Sequence, residues 1–129
     1  MVGTGSVVKH NNDYLFFYTG HPATGAETVR VAISEGNLDS FEKKEDFILS
    51  PADYGFVNDF RDPEVRWSEA DECYYCIVST RKNDRAVLAQ FALSETLEVL
   101  GEPSILYTDT RGFNVLECPT YFEWNGRYY

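Results

Sequence analysis

One motif recurs about every 56 residues, and it limits the chain to repeat folds with four-stranded units. Gly5-Ser6-Val7-Val8 followed by Tyr14-Leu15-Phe16-Phe17-Tyr18 is its first copy. Asp62-Pro63-Glu64-Val65 followed by Tyr74-Tyr75-Cys76-Ile77-Val78 is the second. Cys118-Pro119-Thr120-Tyr121 followed by Arg127-Tyr128-Tyr129 opens a third. Such a period belongs to the blades of a β-propeller, each a short strand, a hairpin, an aromatic strand, a third strand and a loosely patterned outer strand such as Phe41 to Asp46. The expected fold class is all-β, with units over 1–55, 56–112 and an incomplete 113–129 of a single propeller domain. A blade cannot bury both faces alone, and a ring needs at least about four blades. The last residues, Tyr128-Tyr129, fall within an aromatic strand. The chain is therefore expected to be a fragment whose partners include the missing blades of a parent ring.

The local signals agree with strands and give almost no helix. Ser6–Val8, Tyr14–Thr19 and Thr28–Ser34 alternate and end in Gly, Asn, Asp or Pro. Glu64–Trp67, Cys73–Thr80 and Arg85–Leu93 repeat the pattern, and Thr120–Trp124 turns through Asn125-Gly126, a strong hairpin signal. Aromatic residues make up 16% of the chain, which suits rings packed across pleated neighbours.

Charge narrows the partners. The formal net charge is −10, and such a surface repels phosphate backbones and anionic lipid. Nucleic acid and membrane are therefore not expected partners, and no window approaches the roughly 18 apolar residues of a membrane span. Neutral hydroxyl-rich ligands are compatible with it. Cys73, Cys76 and Cys118 are odd in number, and Met1–Val8 has no charged and apolar leader pattern. Both point to a reducing, cytoplasmic compartment.

Phe60-Arg61-Asp62-Pro63 and Leu116-Glu117-Cys118-Pro119 occupy equivalent places in successive repeats, each just before a first strand. In a propeller the innermost strands line one axial channel, so Asp62 and Glu117 are expected to face a common pocket. Pro63 and Pro119 are expected to hold the residue before them extended. Paired carboxylates suit glycoside hydrolysis, which uses one as acid and another as nucleophile. An adjacent Arg hydrogen-bonds hydroxyls and keeps a neighbouring Asp ionised.

The paired motifs, in this order and spacing, resemble the signatures of glycoside hydrolase family 32, the invertases, levanases, inulinases and sucrose-6-phosphate hydrolases. Gly5-Ser6-Val7-Val8 and Leu15-Phe16-Phe17-Tyr18-Thr19-Gly20-His21 are similar to the same family's second blade. The resemblance implies part of a five-bladed propeller and a retaining hydrolase of β-fructofuranosides such as sucrose or fructans, with no metal and no organic cofactor. It implies Glu117 as catalytic acid/base and Asp62 as transition-state stabiliser. Arg61, Ser6 and Cys118 would line the substrate site. The family's nucleophile is an Asp in a Trp-x-Asn-Asp-Pro-Asn-Gly type motif, and nothing here matches it; Asn58-Asp59-Phe60 belongs to the Arg-Asp-Pro motif. The chain alone is thus expected to be inactive. A catalytically silent sugar-binding propeller and a truncated gene remnant are the alternatives, and arabinanase-like or xylosidase-like propellers lack this motif pair.

Other residues have plainer readings. Cys73-Tyr74-Tyr75-Cys76 has a C-x-x-C form but lies in a strand with no second pair, so core packing is expected. Trp67 and Trp124 are expected in the core, and His10 and His21 at the surface or behind the site. Asp39, Glu42, Glu45 and Asp46 read as a solvated outer edge.

Overall fold

The computed structural model describes residues 1–129. It is built from β1 (Val2–His10), β2 (Asp13–Gly20), β3 (Thr28–Glu35), β4 (Glu42–Lys43), β5 (Phe60–Ser68), β6 (Cys73–Lys82), β7 (Arg85–Leu93), β8 (Ser104–Thr108), β9 (Glu123–Trp124) and β10 (Arg127–Tyr128). One 3-10 turn at Pro51–Tyr54 is the helical content. No helix is long and apolar enough to cross a membrane.

The strands form two four-stranded antiparallel sheets in sequential order, β1-β2-β3-β4 and β5-β6-β7-β8, and a two-stranded β9–β10 hairpin. Two successive meanders of this kind are propeller blades. Asn11-Asn12 makes the β1–β2 turn with Asn11 at φ 53°, a left-handed conformation that Asn tolerates. Asn125-Gly126 closes the β9–β10 hairpin with both residues at positive φ, as a type I′ turn demands.

Both faces of the second blade's central strand are covered. Along β6 Cys73, Tyr74 and the run Cys76–Thr80 are all buried, so period-two alternation gives way to continuous burial. The core is a single cluster drawn from both sheets and their connection. It includes Phe17 and Val31 from the first blade, Phe47 and Phe56 from the linking segment, and Phe60, Val78 and Phe91 from the second. Phe56, Phe60 and Phe91 meet at ring centroids 5.8–6.2 Å apart, the spacing of tilted and edge-to-face aromatic packing. Phe60 is fully buried, and its truncation to Ala would cost about 3–5 kcal/mol. It also immediately precedes Arg61 and Asp62, so core packing fixes where those side chains begin.

Three expectations are corrected. The outer strand of the first blade is only Glu42–Lys43, not Phe41 to Asp46, because the acidic residues around it are solvated. Thr120–Trp124 is a strand only at Glu123–Trp124, and Trp124 is 62% exposed, since nothing covers that face of its hairpin. His10 is packed rather than superficial. Its side chain is 11% exposed, with its ring centroid 3.8 Å from that of the half-buried Trp67. Cys73 and Cys76 are buried and free. β8 is the outer strand that the repeat requires of the second unit, at a position the sequence did not mark.

Candidate active site

The candidate residues gather where β5 begins and the 115–119 segment crosses it. Here β5 breaks register with β6 between Arg61 and Glu64. Asp62 sits in that bulge at φ 55°, and Cys118 sits at φ 48° at the equivalent point of the next repeat. The expectation that the following prolines hold these residues extended is therefore wrong at both positions. A left-handed conformation costs a non-glycine residue about 1–2 kcal/mol, and it persists only where surrounding contacts determine it. For Asp62 two hydrogen bonds supply those contacts. Its N–H donates to Thr19 Oγ1 at 2.9 Å, and its Oδ2 accepts from the Cys118 N–H at 2.9 Å. Thr19, buried at the end of β2, in turn donates through its hydroxyl to the Thr4 carbonyl at 3.0 Å. The first blade thus fixes the backbone of Asp62, and Asp62 fixes the Glu117-Cys118 segment.

On β1 the first blade has a matching irregularity between Val2 and Gly5. A Cβ on Gly5 would lie 1.9 Å from the Phe17 carbonyl oxygen, so only glycine lets β1 approach β2 this closely. The next residue, Ser6, accepts a hydrogen bond from the Val65 N–H at 2.9 Å. That bond ties the first strands of the two blades together. It leaves the Ser6 hydroxyl proton free to donate elsewhere.

Arg61 is the electrostatic centre. Its Nε donates to Glu27 Oε2 at 2.7 Å, its Nη2 to Asp59 Oδ1, and its Nη1 to Glu117 Oε1 at 3.3 Å. Burial opposes the guanidinium charge, but Glu27, Asp59 and Glu117 outweigh it and hold Arg61 above its ordinary pKa. Asp62 is 7% exposed. Glu117 is different: its side chain is 61% exposed. Beside it, local desolvation and then the Asp62 carboxylate push the Cys118 thiol upward. Along β5, burial raises Glu64, and a hydrogen bond from the Tyr121 backbone partly offsets it.

The structure brings Arg61 to Glu117 and Asp62 to Cys118, with Ser6 on the neighbouring first strand. Sequence reasoning missed Glu27 and Thr19. Thr19 lies in an ordinary strand pattern, and Glu27 stands alone before β3, so neither carries a local signal. No group of three or more His, Cys, Asp or Glu is placed to hold a metal ion. A cavity of about 300 Å³ lined by His10, Leu15, Tyr74 and Glu95 lies away from Asp62 and Glu117.

Comparison with known proteins places this geometry. No curated protein sequence matches the chain. Among solved structures, the GH32 β-fructofuranosidase of Bombyx mori, a mutant in complex with sucrose, superposes with a TM-score of 0.80 at 25% sequence identity. The superposition covers 99% of this chain and 28% of that one, so the chain spans little more than a quarter of the neighbour's length. The family model described as the glycosyl hydrolases family 32 N-terminal domain matches residues 2–128. By that match, which takes in both blades and the carboxylates between them, the chain belongs to glycoside hydrolase family 32.

Proposed function

We propose that this chain is the part of a β-fructofuranosidase that carries its acid/base and its transition-state stabiliser. In this reading the parent polypeptide hydrolyses sucrose or fructans with retention. The observation that carries it is the joint between the two motifs: Asp62 accepts from Cys118 at 2.9 Å while Arg61 reaches Glu117 at 3.3 Å. The family membership, and a neighbour that holds sucrose, support the substrate class.

Glu117 protonates the glycosidic oxygen as the bond to the fructosyl carbon breaks, and a carboxylate nucleophile takes that carbon. Water then attacks the covalent intermediate, with Glu117 accepting its proton. Retaining enzymes place the two carboxyl groups about 5–5.5 Å apart, and the exposed Glu117 leaves its outer face open for such a partner. Asp62, oriented by the Cys118 N–H, hydrogen-bonds fructosyl hydroxyls and meets the positive charge of the oxocarbenium-like transition state. Ser6 and Arg61 offer further donors to hydroxyls. The nucleophile is not among these residues, so the 129-residue chain by itself hydrolyses nothing.

The test is product analysis by NMR after incubating sucrose with the full-length polypeptide that carries residues 1–129. Fructose released first as the β-anomer supports the reading. Sugar binding without release would make it a silent binding module, and release of arabinose or xylose from their polymers instead would overturn the substrate class.

A further inference from the structure

We propose that Glu27 is a positioning residue for the acid/base centre, holding the Arg61 guanidinium in the one orientation that turns Nη1 toward Glu117. This rests on the fructosidase reading above and assigns a role to a residue outside both motifs.

Glu27 is held by four contacts, three of them to residues at or just before the start of β5. Its N–H donates to the Asn58 carbonyl at 3.0 Å. Its Oε2 accepts from the Phe60 N–H at 3.0 Å and from Arg61 Nε at 2.7 Å. Its Oε1 faces His21 Nδ1 at 3.0 Å. The carboxylate is 17% exposed and the Arg61 side chain 22%, so both are partly desolvated and their attraction is poorly screened. A surface ion pair of convenience would lack the backbone contacts that flank this one.

The geometry of arginine gives the pair its consequence. The guanidinium is a rigid planar fork, so anchoring Nε sets the directions of both Nη groups. With Nε on Glu27 and Nη2 on Asp59, Nη1 is left to Glu117. Glu117 is more than half exposed, and a long exposed side chain holds one position only when something grips it.

The experiment compares Glu27→Gln with the wild type in the full-length polypeptide, using sucrose across pH and recording melting in parallel. Gln keeps an oxygen for the Phe60 N–H while losing the charge. The expected result is a fall in kcat of about 10–100-fold, because small misplacements at a reacting centre cost this much. KM for sucrose should change less than kcat, because Glu27 places the acid/base and touches no sugar. A variant that melts earlier but keeps the wild-type kcat would show a merely structural role and overturn the inference. Should Glu27→Gln not fold, Glu27→Asp carries the test: it retains charge and loses reach, so kcat falls, and an unchanged kcat overturns it. A wild type that releases no fructose sinks the functional reading and this inference with it. An active wild type with indifferent variants sinks the inference alone.

Discussion

The Cys118 N–H donates to Oδ2 of Asp62 at 2.9 Å across 56 residues of sequence. Both residues are left-handed, at φ 48° and 55°, and both precede a proline. The Asp-Pro of one repeat therefore clasps the Cys-Pro of the next, and the Asp62 side chain ties down the backbone of the Glu117-Cys118 segment.

Replacing Asp62 separates its charge from its conformation. Asp62→Asn tolerates the left-handed backbone but weakens a charge-assisted bond to Cys118, a loss of about 1–2 kcal/mol. Asp62→Ala loses the bond and also forces a Cβ residue without a local hydrogen-bonding side chain into that conformation, about 1 kcal/mol more. Urea unfolding should rank the proteins wild type, Asn, Ala. On the proposed fructosidase reading, either change should lower the kcat of the full-length polypeptide by about 10²–10³-fold, the scale for losing one preorganised electrostatic partner.

Thr19→Val tests the other side of the clasp. Valine has the shape of threonine but orphans the Asp62 N–H and the Thr4 carbonyl that Thr19 satisfies. The expected cost is about 2 kcal/mol, read as a lower urea midpoint with unchanged slope.

The thiol of Cys118 reports the Asp62 charge. Desolvation and then the Asp62 carboxylate raise it, so the reactive thiolate forms only at higher pH than for a free cysteine. Alkylation of Cys118 by iodoacetamide should have its inflection above that of a model thiol, and Asp62→Asn should move the inflection down. Cys73 and Cys76, both buried, should react only on unfolding.

Glu64 gives a pH-dependent stability of defined sign. Burial raises its folded pKa, so the folded state prefers the protonated acid. The unfavourable ionised form is absent below the unfolded pKa and develops as pH rises through the folded one. Glu64→Gln, which keeps an acceptor for the Tyr121 N–H, should raise the melting temperature at pH 7 and lose that advantage near pH 3.

The blades were legible because their signal is local. Alternation marked Tyr14–Thr19 and Arg85–Leu93, Asn125-Gly126 marked a turn, and the Arg61-Asp62 and Glu117-Cys118 pairs marked residues that the fold brings into contact. What stayed hidden is non-local or weakly patterned. Glu27 acts across 33 and 34 residues on Phe60 and Arg61, and nothing in its neighbours marks it. Ser104–Thr108 is an exposed outer strand, so no buried face imposes alternation. The left-handed Asp62 and Cys118 defeated a rule about residues before proline because tertiary hydrogen bonds outweighed the local preference.

The central claim is that Glu117 and Asp62 serve one fructoside-cleaving centre, and fructose release from sucrose by the full-length polypeptide, wild type beside Glu117→Gln, tests it most directly. Glu117 is exposed, so its replacement should leave melting unchanged while kcat/KM falls by about 10²–10⁴-fold, the contribution of a general acid/base. Equal release by the two proteins would contradict the account.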